Sequence, residues 1–502
     1  MSDVPGSTRR DFILGMTAMA AATPGSGKPS GEELTSLSAV EAVTRMKDGD
    51  ISAEAYSQAL LHRCEATRAL NAFISLEPQR VLESARECDR RRKAGRELGP
   101  LHGLPVPVKD SVNTVDLPTT VGTPALRHFH PTENAPVVRR LIEAGALVQG
   151  KTNLHELSYG WTSNNLAFGA VHNPYDATRI PGGSSGGTAA AVAAGMAPLG
   201  IAEDTEGSIR VPAALCGIVG FRPTTGRYST EGAAPISALF DQVGPHARHM
   251  RDVVLFDSVV SGEHQPLPHR ELKGVRFGIP RGYFYGDLHP EVSRISEDVL
   301  HRLQATGARL VEVEVKDVGR LVSLTTLAIQ NHDVRPGLIA YLQRYHAGIT
   351  FEQLVAQASP DIRGYFAQAV LPGSRDFISD EVYRKAVDVY LPELRANYAQ
   401  CFTAHSIDAL LFPTISIPAP RIGDDGKQDV GGKSVPFEQA IARNISPGST
   451  AGLPGLVLPA GLTSAGLPVA IELDGPKGSD RALLAIGLAV ERVLRPLPRP
   501  HV

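Results

Sequence analysis

The residues able to do chemistry gather in three short segments of this 502-residue chain. They are Val106–Asp110 (VPVKD), Gly182–Gly187 (GGSSGG) and Asp204–Arg210 (DTEGSIR). Together they supply one lysine, Lys109, serines in two separate loops (Ser184, Ser185 and Ser208), and two glycine-rich backbones. Acyl transfer needs those parts: a nucleophilic hydroxyl, a base to deprotonate it, and amide N–H groups to hold an oxyanion. Lys109 can serve as base if burial or nearby positive charge brings its pKa from about 10.4 toward 7–8. Asp110, next to it in sequence, would oppose that shift by keeping the ammonium charged.

Both serine loops are expected to open helices. Gly182–Gly187 runs into Thr188–Met196, almost all Ala, Val and Gly. A helix of such small side chains can approach its neighbours closely and is expected to be buried. Pro212 fits the first turn of a helix that begins just after Ser208. Helix starts carry unpaired N–H groups and favour negative charge. A flexible linker is the plain alternative for either loop; serine at two successive helix starts argues against it.

The surrounding pattern supplies the elements that must hold these loops. Lys109 closes a short apolar strand, Leu104 to Val108. From about 104 to 260 strand and helix alternate, with a helix from Ala135 to Ala144 (Pro136 in its first turn) and a strand from Ala146 to Gln149. The alternation returns as strand Val275 to Ile279, helix Val292 to Thr306 and strand Arg309 to Val313. Residues 34–98 and 322–400 read as mostly helical. Strands are predicted at 409–412, 456–458 and 469–473, and a last helix at Asp480 to Leu494 with Ser479 as N-cap. This is an α/β layered fold with a large mixed sheet, read as a single domain over residues 35–500.

Composition excludes several classes. Net charge is −3 with no long basic run, which argues against nucleic-acid binding. Cys64, Cys88, Cys216 and Cys401 form no C-x-x-C pair, so neither a disulfide framework nor a zinc site is expected. Cys216 lies in an apolar run and reads as core filler. His155-Glu156 lacks a second histidine at i+4, and no Gly-x-Ser-x-Gly elbow occurs. Gly145–Thr152 satisfies the phosphate-loop expression, but its middle residues are mostly apolar and read as a strand with its amides already paired. At the N-terminus, Ser7–Leu14 with Arg9-Arg10 reads as a twin-arginine signal, followed by an apolar stretch too short to span a membrane. Residues 1–31 are therefore expected to be signal and linker, and the mature protein periplasmic or otherwise exported, without stable membrane insertion; the alternative is a disordered tail with a chance Arg-Arg pair on a cytoplasmic protein. The sequence leaves a homo-oligomer open.

At these residues the chain resembles the amidase signature family. Gly182 through Thr224 (GGSSGGTAAAVAAGMAPLGIAEDTEGSIRVPAALCGIVGFRPT) is similar to that family's defining segment almost end to end, and the likeness runs from about residue 35 to the C-terminus. The resemblance implies an α/β/α sandwich without metal or cofactor, and an amide hydrolase with a small-molecule substrate. By the family pattern Ser208 is the nucleophile, Ser184 the bridging serine in a cis peptide, and Lys109 the base that draws the proton from Ser208 through Ser184. The backbone N–H groups of Thr205, Glu206, Gly207 and Ser208 would form the oxyanion hole, with Asp204, Arg210 and Ser185 in support. Within the family, His155–Gly160, Cys216–Ser229 and Leu410–Thr414 resemble the indoleacetamide and mandelamide hydrolase branch, which implies aryl or arylalkyl amides. Tyr159, Trp161 and Gly183 are candidate substrate-binding residues.

Two positions depart from the family pattern. Glu206 stands where glycine is common, and Glu203 where a small hydroxyl is usual. A glutamate at 206 would be strained if the position needs φ > 0, and a carboxylate facing the pocket would oppose an oxyanion while welcoming a cationic substrate. Two rival readings follow. One is a catalytically silent amide-binding protein on the same fold. The other is the amidase subunit of a transfer-RNA amidotransferase, which an export signal disfavours.

Overall fold

The computed structural model describes residues 30–502. The twin-arginine segment therefore lies outside the described residues. At its expected linker end, the Ser30 side chain accepts from the Glu33 N–H at 3.1 Å and a helix starts at Gly31.

Eleven strands build one mixed sheet. In chain order they are β1 (Phe73–Leu76), β2 (Pro105–Lys109), β3 (Leu147–Thr152), β4 (Leu199–Asp204), β5 (Val219–Arg222), β6 (Gln242–Ala247), β7 (Arg276–Ile279), β8 (Arg309–Glu312), β9 (Ala409–Pro413), β10 (Gly455–Leu462) and β11 (Pro468–Asp474). Their order across the sheet is β1-β3-β2-β4-β6-β5-β10-β11-β9-β7-β8. β2 runs parallel to β3 and β4, and β7 parallel to β8 and β9, while β10 and β11 are antiparallel. Every residue of β2, β3 and β4 is buried. Helices cover both faces of such strands. Lys109 ends β2, and Glu203 and Asp204 end β4, the strand beside it.

Helix α1 (Gly186–Ala193) is buried along its whole length, as its small side chains predict. Closeness requires glycine here: a Cβ on Gly187 would run into the backbone carbonyls of Asn153 and Ala72. Helix α2 (Arg210–Leu215) is also fully buried. A long helix, α3 (Val318–Arg344), covers the far side of the site.

The phosphate-loop pattern at 145–152 is indeed strand β3, and its Lys151 is sealed in the core against Asp110 at 3.1 Å. All four cysteines are free and buried. Four strands of this sheet escaped the sequence reading. β1 lies within a region read as helical: its four residues are too few to show a period, and it is only half-buried. β4, β5 and β6 are broken by Gly, Pro and charged residues, which mask strand character. Ser479 precedes the last helix, Asp480–Glu491, but its hydroxyl makes no capping bond.

Candidate active site

The ends of β2 and β4, the loop into α1 and the turn into α2 meet at one buried point. Lys109 Nζ donates to Ser184 Oγ at 2.7 Å, and both residues are completely buried. The Gly183–Ser184 peptide is cis. Ser185 precedes α1 and ties its loop to β4: its Oγ donates to the Glu203 carbonyl at 3.0 Å, and its N–H donates to the Ser208 carbonyl at 3.3 Å. Ser208 borders a cavity of about 890 Å³. Its hydroxyl has no hydrogen-bond partner among the described residues and so remains available to whatever enters. Lysine and two serines thus come together as expected, with Ser184 on the lysine and Ser208 facing the cavity.

The turn Thr205–Ile209 is held by charge. Asp204 Oδ1 accepts from Gly207 N–H at 2.7 Å, and Oδ2 accepts from Ile209 N–H at 3.1 Å and Arg210 Nε at 3.1 Å. Arg222 Nε lies 3.4 Å from Oδ1. Burial alone would raise the Asp204 carboxyl, but Arg210 and Arg222 outweigh it and hold it at about 2. Arg210 reaches on to Glu472 Oε1 at 2.6 Å and to the Ser449 hydroxyl. Asp204, Arg210 and Ser185 therefore occupy supporting positions. Arg222, near the end of the Gly182–Thr224 segment, completes the network with Glu472 and Ser449, and these last two carry no local motif that could have disclosed them.

Four backbone N–H groups were expected to face an oxyanion. Those of Thr205, Glu206 and Ser208 have no partner among the described residues, whereas that of Gly207 is taken by Asp204. The positive φ of this turn, 95°, falls on Gly207 and not on Glu206, so glutamate is accommodated without backbone strain.

Glu206 lines the cavity. Its Oε1 accepts from the Ser446 hydroxyl, and its Oε2 from Gln330 Nε2, on α3, at 2.9 Å. Burial raises this carboxyl, and the two neutral donors only partly offset the effect. Asp361, Asp425 and Glu438 also line the cavity, against one guanidinium, Arg443. His155 lines it as a neutral ring, lowered to about 4 chiefly by burial.

Tyr159 and Trp161 both line the cavity. Tyr159 packs on Tyr365 and Phe366 with ring centroids 5.4 and 5.1 Å away, and its buried hydroxyl has no partner among the described residues. Trp161 Nε1 donates to the Glu206 carbonyl at 2.8 Å, which fixes the indole against the serine turn. Gly183 does not line the cavity. It packs backbone against backbone, and a Cβ there would lie 2.8 Å from the Gly160 carbonyl.

The expectation for Asp110 is corrected as well. Asp110 does not face Lys109; it points away, to Lys151, with Thr120 also bonded to it. The carboxylate on Lys109 is that of Glu203, with Oε2 at 2.8 Å from Nζ. Burial lowers the Lys109 amine while Glu203 pulls it back up. Thr205 Oγ1 then bridges Glu203 Oε1 (3.1 Å) to Asp241 Oδ1 (2.6 Å).

Comparison with known proteins points to one family. The family model described as Amidase matches residues 55–484. The chain is 40% identical over 462 residues to an indoleacetamide hydrolase of Agrobacterium vitis, covering 92% of this chain and 97% of that protein. It is 36% identical over 482 residues to a mandelamide hydrolase of Pseudomonas putida, covering 93% and 94% respectively. A solved structure described as an amidase superposes with a TM-score of 0.82 at 31% identity, over 91% of this chain and all of that one.

Proposed function

Because the chain belongs to the amidase family, we propose that it hydrolyses a small aryl or arylalkyl carboxylic amide through an acyl-serine on Ser208, releasing the acid and ammonia or an amine. In this reading Ser208 Oγ attacks the amide carbonyl and its proton passes to Ser184 Oγ. Ser184 gives its own proton to Lys109 Nζ. The carbonyl electron pair moves onto oxygen, where the N–H groups of Thr205, Glu206 and Ser208 can stabilise it. Collapse expels the amine, which takes a proton back through the same relay. Water, deprotonated along the same path, then cleaves the ester and frees Ser208.

The observation that carries this reading is the buried 2.7 Å hydrogen bond from Lys109 to Ser184, beside an open Ser208 hydroxyl at a cavity wall. An aromatic acyl group is supported by Tyr159 and Trp161 in that wall, and by the aryl amides for which two relatives are named. The surplus of carboxylates along the cavity favours a substrate that carries no negative charge.

The test is ammonia release from phenylacetamide by the parent and by Ser208→Ala, with hydroxylamine present to trap the acyl group. Parent turnover with a trapped hydroxamate, and neither in folded Ser208→Ala, is the expected result. Undiminished turnover in Ser208→Ala would end the assignment.

A further inference from the structure

We propose that Glu203 is a positioning residue for the base: its carboxylate, backed by Asp241 through the Thr205 hydroxyl, holds a proton on Lys109 and moves the onset of catalysis to higher pH. The proposal rests on Lys109 being the base.

Three ionisable groups share one sealed compartment. The Lys109 and Glu203 side chains are 0% and 2% exposed, and their charged atoms are 2.8 Å apart. With water excluded, a contact of this kind is far stronger than a surface ion pair. Glu203 Oε2 also accepts from Ser158 Oγ at 3.1 Å, which fixes the carboxylate in place. Its other oxygen meets the Thr205 hydroxyl at 3.1 Å, and that hydroxyl lies 2.6 Å from Asp241 Oδ1. A hydroxyl has one proton to donate. It can serve one of these carboxylate oxygens, and a proton on a carboxyl would make both contacts hydrogen bonds. Asp241 is the carboxyl suited to hold it: burial first, and Glu203 second, raise it to about 7. Below pH 7 a proton on Asp241 leaves the pair one negative charge, and the carboxylate 2.8 Å from Lys109 Nζ is that of Glu203.

The other charged groups around Lys109 are already balanced. Asp204 is paired with Arg210 and Arg222, and Asp110 with Lys151. His155 and His246 are neutral, each lowered to about 4 mainly by burial. Ser184 is uncharged. Glu203 is the carboxylate in contact with the lysine, and a neutral residue in its place would leave burial opposed by the more distant Asp204 and Asp241 alone. Lys109 must be neutral to accept the Ser184 proton, so the charge at 203 sets the pH at which it becomes available. As pH rises through 7, Asp241 ionises too and the ammonium is held harder.

The experiment is kcat/KM for phenylacetamide against pH, for the parent, Glu203→Gln, Glu203→Thr and Asp241→Asn, each normalised to its folded fraction by circular dichroism. Removing the charge should move the acid limb to lower pH by about one unit or more, a tenfold or larger gain in neutral Lys109 at a fixed pH below the limb. Asp241→Asn should move it the same way by less. Lower activity at every pH with the limb unmoved in both Glu203 variants would reduce Glu203 to packing and overturn the proposal, as would a shift to higher pH. Parent-like activity in Lys109→Ala is a separate outcome: it removes the base itself, whatever the Glu203 variants do.

Discussion

Asp204→Asn tests whether charge holds the turn that carries Ser208. The change keeps the side-chain shape but turns one oxygen into an NH₂ group. If the amide nitrogen takes the Oδ1 place, it faces Gly207 N–H and Arg222; in the Oδ2 place it faces Ile209 N–H and Arg210 Nε. Either way donors meet a donor, and two buried guanidiniums lose their shared anion. Proton linkage gives one magnitude. The folded carboxyl titrates at about 2, against about 3.9 in an unfolded chain, and the difference at 1.36 kcal/mol per unit is about 2.6 kcal/mol. The folded value is the lower one, so this contribution is complete well above pH 4 and is lost as pH falls toward 2. By pH 3 about half has gone. Removing one partner of a buried pair typically costs about 3–5 kcal/mol. The larger figure applies to the variant, because linkage counts only the lost proton affinity and not the opposed donors. Urea unfolding at pH 7 and pH 3 measures the effect. The expected result is a deficit of about 3–5 kcal/mol at pH 7 that narrows by about 1 kcal/mol at pH 3. The turn also aims three free N–H groups, so kcat for phenylacetamide should fall on the order of 100-fold while KM changes little. A deficit under about 1 kcal/mol, equal deficits at both pH values, or an intact kcat would refute the reasoning.

Lys109→Ala should lower kcat/KM by several orders of magnitude and strand Glu203 as a buried unpaired charge; adding Glu203→Ala should recover stability in urea unfolding but not activity, and recovery of activity would remove Lys109 from the mechanism. An aromatic ring in the cavity is worth about 2–3 kcal/mol, so phenylacetamide should exceed acetamide roughly 30- to 150-fold in kcat/KM; equal values would argue against an aryl pocket. An amino-acid amide should gain relative to phenylacetamide through Glu206 and lose that gain in Glu206→Gly, and an unchanged ratio would mean that the carboxylate does not meet the substrate. Residues 1–35 fused to a reporter should direct export that Arg9→Lys with Arg10→Lys blocks; export unaltered by the double change would place the protein elsewhere.

The catalytic parts were legible because each sits in a local pattern. Ser184, Ser185 and Ser208 lie in glycine-rich turns before helices, and Lys109 closes an apolar strand. Their partners were not, because partners are set across the sheet. Asp110 adjoins Lys109 in sequence, and proximity suggested an ion pair, but successive side chains at a strand point to opposite faces. Lys109 thus meets Glu203, 94 residues away, while Asp110 meets Lys151. Glu203 stood out as a departure from the family pattern, yet nothing local told that its carboxylate reaches the lysine. Whether Glu206 faces the cavity was equally beyond reach, since Ser446 and Gln330, which hold it, come from distant segments. Small residues made α1 readable; in β4, β5 and β6 the interrupting Gly, Pro and charged residues hid strands that tertiary pairing stabilises.

The reach of Arg210 to Glu472 sets a clock on biosynthesis. The two residues are 262 apart. At about 5–20 residues per second, a ribosome delivers the second roughly 13–52 s after the first. Strand β10, the neighbour of β5, arrives almost as late, so the middle of the sheet stays open to water throughout that interval. The nascent serine turn, with Arg210 paired to Asp204 but not yet to Glu472 and its apolar strands bare, is thus expected to need chaperones until β10 and Glu472 arrive.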